Sequence, residues 1–233
     1  MGKRIIQQRR GKGSATHRVS EKAFNMILRY PNGEGEAEII RLDNERGYNY
    51  PIAKFKMGHE IFFNVAVQGI TIGDKIMVGK NMPIARGNIV PVGDIPMGES
   101  ICNIEIRPYS RGQLVKSAGT SAQVAKKTNQ GTIVILPSKK EKLIDNRARA
   151  TIGAVAGAGR SEKPFIKAGN RWHLMKSKNK LYPRTSPVKM NSVNHPFGGG
   201  RGKNIGKSSI APRNAPAGRK VGLLRPRKTG RGK

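Results

Sequence analysis

The chain has 233 residues, and 45 Lys and Arg against 14 Asp and Glu leave a formal net charge of +31 and a pI near 11.1. Ordinary surface mixing does not produce such an excess, so the partner is a polyanion, with nucleic acid ahead of acidic membrane. No apolar run of about 18 residues is present to span a bilayer, the first ten residues have neither a signal-peptide core nor an amphipathic anchor pattern, and one cysteine excludes an intramolecular disulfide framework or a multi-cysteine metal site.

Residues 1–36 read as a basic arm. Lys3, Arg4, Arg9, Arg10, Lys12 and Arg18 lie within residues 1–18, which have no acid and too little apolar surface to offset the entropy of ordering. From Ala37 the pattern changes to short, β-branched and aromatic runs: Ala37–Leu42, Pro51–Met57, Glu60–Val67 and Gly73–Gly79. Turn residues such as Asp43-Asn-Glu-Arg-Gly47 and Met57-Gly-His-Glu60 separate them. Seven of the 14 acids fall between Glu34 and Asp74, so residues 37–81 are close to ordinary in charge and suit a small OB-type barrel.

Residues 82–94 form a Pro/Gly-punctuated connector. Residues 95–159 hold a second set of strands, at Ser100–Ile106, Gln113–Ser117, Ala122–Lys126, Thr132–Leu136 and Ala148–Val155, of a size that suits an SH3-like barrel. Helical periodicity is faint at Asn64–Gly69 and no stronger elsewhere. The expected fold class is therefore all-β, with long basic extensions at both ends. Cys102 lies in an alternating stretch and reads as a small strand residue. The four histidines, His17, His59, His173 and His195, show no metal-ligand spacing.

Residues 160–233 carry 20 Lys and Arg and one acid, Glu162, and the 71 residues from Lys163 to Lys233 have none. Such a tail makes no core of its own and is ordered by a partner or not at all. Trp172, Tyr182 and Phe197 interleave with Arg171, Lys176, Lys178, Lys180 and Arg184, offering aromatic faces for base stacking beside cations. For Trp172 a plug against the second barrel is an equal alternative. Within the tail, Met190-Asn-Ser-Val-Asn-His-Pro-Phe-Gly-Gly-Gly-Arg-Gly-Lys203 sets three side-chain-free residues, Gly198, Gly199 and Gly200, beside Arg201 and Lys203. That strip suits close approach of bare backbone to phosphate.

Catalysis is disfavoured. The carboxylates cluster in the first barrel, while His173 and His195 lie in the acid-free tail, so no nucleophile, base and orienting acid share a motif. Val155-Ala-Gly-Ala-Gly-Arg160 has the glycines of a phosphate-cradling turn but no helix pattern after it. RNA is favoured over DNA because no major-groove recognition helix is visible, while small barrels with extended basic tails suit folded RNA.

Several strings then resemble one family, the universal large-subunit ribosomal protein two, in its archaeal and eukaryotic branch. They are Gly11-Lys-Gly-Ser-Ala-Thr-His-Arg18, Gly87-Asn-Ile-Val-Pro-Val-Gly93, Gly112-Gln-Leu-Val-Lys-Ser-Ala-Gly-Thr-Ser-Ala-Gln123, Arg149-Ala-Thr-Ile-Gly153, Asn191-Ser-Val-Asn-His-Pro-Phe-Gly-Gly-Gly200 and Ala215-Pro-Ala-Gly-Arg-Lys-Val-Gly222. The brief length suits an archaeal member. The resemblance implies an OB-fold followed by an SH3-like barrel, with extensions threading into large-subunit rRNA.

It also implies a non-enzymatic constituent of the cytoplasmic large ribosomal subunit that supports subunit association, tRNA binding and the architecture of the peptidyl transferase centre. Implied RNA contacts are Lys116, Ser117, Thr120, Ser121, Gln123, Arg147, Arg149, Arg171, Arg184, Asn194, His195, Gly198, Gly199, Gly200, Arg201, Lys203, Arg219 and Lys220, beside Lys3, Arg4, Arg9, Arg10 and Arg18 of the arm. Partners are rRNA, neighbouring ribosomal proteins and tRNA, without membrane or homo-oligomer. No cofactor or protein-held metal is implied, and Mg2+ or K+ bridging to rRNA is the one ion role left open. The alternative is a dissociable translation factor or RNA chaperone. The chain departs from the family pattern at Pro187, Lys189, Ser192 and Asn194, and Asn194 removes the acid that would orient His195.

Overall fold

Short alternating runs fold into ten strands: β1 (Gly35–Asp43), β2 (Ile52–Met57), β3 (Glu60–Val65), β4 (Lys75–Val78), β5 (Ile89–Pro91), β6 (Ser100–Cys102), β7 (Ala122–Thr128), β8 (Gly131–Ile135), β9 (Glu141–Ile144) and β10 (Arg149–Ile152). The computed structural model describes residues 2–160 and 162–227; Ser161 and Lys228–Lys233, parts of the expected tail, lie outside the described residues. Contacts divide the chain into a barrel unit, Glu21–Phe165, and an extension unit made of Met1–Ser20 with Ile166–Lys233.

In the barrel unit the strand order is β3-β2-β1-β4-β5-β10-β6-β7-β8-β9, and every pairing is antiparallel except β4 with β5. The fold is all-β, an OB-like barrel followed by an SH3-like one. Alternation places Ala37 and Ile39 of β1 inward, where they join Phe55, Phe62, Ile76 and Val78 in the first core. Phe55 and Phe62 stack there with ring centroids 5.1 Å apart. The second core gathers Val90, Ile101, Val124, Val134, Ile144 and Ile152. Each buried Ile or Phe contributes about 1.5–3 kcal/mol relative to exposure.

A third cluster, including Leu28, Ile52, Val65, Cys102 and Val155, joins residues of both strand sets. Burial pushes the Cys102 thiol up to about 12, so it packs as an inert thiol. Beside this cluster runs a buried polar network. The Tyr30 hydroxyl donates to the Asn103 carbonyl at 2.5 Å and lies 2.8 Å from Thr151 Oγ1. Asn103 Nδ2 donates to Asn64 Oδ1 at 2.6 Å, and Asn64 Nδ2 donates to Thr151 Oγ1 at 3.3 Å. Asn64 belongs to β3 and Thr151 to β10, so the network ties the first strand set to the second.

Several boundaries move. Leu28 and Tyr30 are buried in the barrel cores, so the folded unit begins at Glu21, well inside the expected arm. The expected connector contains β5, fully buried, and a 3-10 turn at Val92–Asp94. The expected strand at Gln113–Ser117 is an irregular segment joined by a single bridge, Leu114 to Ile104, with Val115 at φ +54°.

The extension unit has two helices where no regular structure was expected: α1 (Ile6–Gly11) and α2 (Ala168–Ser177). In α1 the Gln8 side chain accepts the Ile5 N–H at 3.1 Å, and Arg9 and Arg10 sit at the favourable end of the dipole. α2 includes the good helix formers Arg171, Leu174, Met175 and Lys176, yet buries none of its residues.

Candidate nucleic-acid interface

Charge is partitioned between the two units. The extension unit holds 24 of the 45 Lys and Arg and none of the 14 acids; the barrel unit holds 21 with all 14. The extension unit's cations therefore have no acid within their own unit to neutralise them, which is the electrostatic footprint of a phosphate-binding surface.

Within the extension unit one cleft of about 490 Å³ gathers Arg4, Ile6, Gln7 and Arg9 with Leu181, Pro183, Arg184, Thr185, Pro187, Lys189, Met190, Asn191, Asn194 and His195. Four cations line it and no acid does, and Ile6, Leu181, Pro183, Pro187 and Met190 give it apolar surface. Five of the expected contacts, Arg4, Arg9, Arg184, Asn194 and His195, thus meet at one place although up to 191 positions separate them. The N-terminal segment is tied in by the Lys3 N–H, which donates to the Val193 carbonyl at 2.8 Å. Farther along, Asn179 Nδ2 donates to the Arg18 carbonyl at 3.1 Å. Lys189 and Asn191, not among the expected contacts, line the same cleft. Lys189 differs in no way from its basic neighbours in sequence, and only the folded chain selects it.

The strip that forms one part of the cleft is a folded turn. Asn194 and His195 donate their N–H groups to the Asn191 carbonyl at 2.9 and 3.2 Å, Gly198 donates to His195 at 2.9 Å, and Gly199 to Met190 at 2.9 Å. The three glycines consequently do different jobs. A Cβ on Gly198 would lie 2.5 Å from the carbonyl oxygens of Asn191 and Met190, so that glycine serves the turn itself. Gly199 and Gly200 adopt φ +84° and +111°, and only Gly200 has open space around the missing Cβ, as close approach to a partner requires. Arg201 and Lys203 follow in exposed backbone.

His195 is 7% exposed. Its Nδ1 accepts the Phe197 N–H at 3.1 Å, and its ring lies 5.5 Å from that of Phe197. Burial first, and Lys207 second, hold its pKa below the usual histidine range. The ring is thus neutral near pH 7, with its hydrogen on Nε2, and its acceptor nitrogen is already used by the backbone. That arrangement donates one hydrogen bond and leaves no basic nitrogen for proton abstraction.

The other expected contacts are dispersed. In the extension unit, Arg171 lies over the Tyr182 ring at 5.4 Å, Lys220 Nζ donates to the Arg213 carbonyl at 2.9 Å, and Lys3, Arg10, Arg18 and Arg219 are exposed. Trp172 is 41% exposed with Lys176 Nζ 4.8 Å from its ring centroid. In the barrel unit, Thr120 Oγ1 donates to the Ser117 carbonyl at 2.7 Å, Gln123 Nε2 to Gly98 at 3.4 Å, and Ser121 is half-buried. Arg147 is exposed and pairs with Asp145 at 3.3 Å.

Arg149 is differently employed from the contact expected of it. Its Nη2 donates to Glu105 Oε1 at 2.9 Å, its Nη1 to the Pro31 carbonyl at 2.6 Å, and it packs over the Tyr30 and Tyr109 rings. The Glu105 side chain is 0% exposed and that of Arg149 13%, so this guanidinium neutralises a buried acid and anchors the Tyr30-Pro31 segment, leaving little for a phosphate.

Comparison with known proteins gives one consistent answer. Residues 85–216 match the family model described as Ribosomal Proteins L2, C-terminal domain. The chain is 42% identical to the large ribosomal subunit protein uL2 of Archaeoglobus fulgidus, with 99% of each chain covered. It is 40% identical to the protein of the same name from Methanococcoides burtonii, over 99% of this chain and 100% of that one. With the Saccharolobus islandicus protein the identity is 42%, over 99% and 98%.

Proposed function

The chain belongs to the uL2 family of large ribosomal subunit proteins; it is a structural constituent of the cytoplasmic large subunit and not an enzyme, and we propose that it grips large-subunit rRNA chiefly through its acid-free extension unit. The observation that carries this reading is the cleft in which Arg4, Arg9, Arg184 and Lys189 converge without an acid. Guanidinium and ammonium groups take phosphate oxygens there, apolar surface from Leu181 and Pro183 covers sugar or base, and Asn194 and the Nε2–H of His195 supply neutral hydrogen bonds. The open backbone at Gly200 allows a nucleotide closer approach than any side chain would.

The finer roles are those that the family resemblance implies for the same strip. His195-Pro-Phe-Gly-Gly-Gly200 supports the architecture of the peptidyl transferase centre, where RNA supplies the chemistry. From there the chain assists tRNA binding and subunit association, beside neighbouring ribosomal proteins, with Mg2+ or K+ bridging rRNA phosphates where cations are sparse.

The test is the salt dependence of binding between the full chain and large-subunit rRNA. Replacing Arg4, Arg9, Arg184 and Lys189 together by Ala should flatten the log–log salt slope by roughly 3, at about 0.7–0.9 per lost phosphate contact. An unchanged slope would refute the cleft as an rRNA grip. Incorporation of the chain into subunits that keep it through a high-salt wash is the second expected result; complete stripping would favour a dissociable factor.

A further inference from the structure

A second cleft, of about 390 Å³, lies in the barrel unit and involves Phe24, Tyr48, Arg111, Gly112 and Lys116. Of these only Lys116 was expected to meet RNA. The Phe24 backbone is held at φ +63°, a conformation costly for a bulky residue, and the residue is 47% exposed. The ring is braced from behind: a Cβ on Gly47 would lie 2.6 Å from Phe24 Cδ1, and Tyr48 meets it edge-to-face at 5.0 Å. Asn25, next in the chain, donates its N–H to the Glu45 carboxylate, which fixes the turn. A strained backbone with a braced, exposed aromatic face is a stacking platform.

The opposite requirement, an anion, arises from the two cations. Lys116 is half-buried, its Nζ donates to the Gly112 carbonyl at 3.1 Å, and Arg111 is close enough to disfavour its charge further. Neither cation has a salt-bridge partner among the described residues, and no acid lines the cleft. The backbone that presents them is fixed, because a Cβ on Gly112 would lie 2.2 Å from Asn103 Oδ1. Two neighbouring positive groups, one partly desolvated, are stabilised by an incoming anion.

We propose that this cleft holds one unstacked RNA nucleotide, its base on the Phe24 ring and its phosphate between Arg111 and Lys116. The proposal rests on the rRNA reading above and adds a site on the barrel unit that base stacking, and not charge alone, defines.

A photoreactive benzoylphenylalanine at position 24 of the full chain, assembled into large subunits, reads the site directly, with the same group at Thr185 as the reference for the extension cleft. The expected result is a crosslink from position 24 to one rRNA nucleotide, lost when Arg111→Met and Lys116→Met are combined. Crosslinking of rRNA from position 185 but only of protein, or of nothing, from position 24 overturns the proposal and leaves the rRNA reading standing. Independently, Phe24→Leu should weaken rRNA binding by about 5- to 100-fold, with the thermal midpoint of the barrel unit unchanged or raised as the backbone strain persists or relaxes; an affinity within twofold of the parent also overturns it.

Discussion

The barrel unit buries three apolar clusters and contains every acid of the chain, whereas the extension unit buries only Ile5 and His195 among its described residues and contains no acid. The first is held together by the hydrophobic effect and so places side chains wherever burial dictates. The second is held by backbone bonds such as Lys3 to Val193 and Gly199 to Met190, and by glycines that let chain segments touch. Backbone bonding consumes no side chain and brings no acid against the cations of the extension unit. Some cations of the barrel unit meet the opposite fate: Arg149 and Arg147 are each matched to an acid.

That contrast breaks most visibly at Glu105. Glu105→Ala leaves Arg149 buried and unpaired, and should cost about 3–5 kcal/mol of stability, read as an earlier denaturation midpoint of the barrel unit. A loss under about 1 kcal/mol would mean that the pair is solvated and the contrast overstated. In the extension unit Gly198→Ala should act locally. Its Cβ has no room beside the Asn191 and Met190 carbonyls, so the amides of Asn194 and Gly199 should lose protection in hydrogen exchange by about tenfold, on the scale of one net hydrogen bond. The barrel amides serve as the unchanged control.

The smallest effect concerns pH. The pKa of His195 is lowered by burial, so its neutral form stabilises the turn at pH above the unfolded value, near 6.5. That contribution is lost as pH falls through 6.5 towards the folded pKa. The imidazole signals of His195 should titrate below pH 6.5 in the full chain, and a midpoint at or above 6.5 would contradict its burial.

Much of the barrel unit was legible because alternation is a local signal: Ala37 to Leu42 reads as a half-buried strand and lies within β1. β5 escaped because three residues ending in Pro91 carry no period, and β9 because Glu141-Lys-Leu-Ile144 looks like solvated surface. Gln113–Ser117 misled in the other direction, since its apolar Leu114 and Val115 belong to an irregular segment. For the interface, the sequence shows which residues are cationic and not which have an acid waiting. Arg149 meets Glu105 from 44 positions away, and the meeting of Arg4 with Arg184 depends on chain reversal that no local pattern encodes. Asn194 in place of an acid was readable, and it agrees with a His195 whose acceptor nitrogen faces its own backbone.

The network of Tyr30, Asn64, Asn103 and Thr151 has a consequence for assembly. Oily surfaces such as Leu28, Val65 and Val155 tolerate sliding and rotation, whereas directional bonds between side chains close in one arrangement only. The two barrels are therefore keyed to each other like parts on a splined shaft. Any partner that binds both barrels at once meets a gauge block of fixed dimensions and must itself conform.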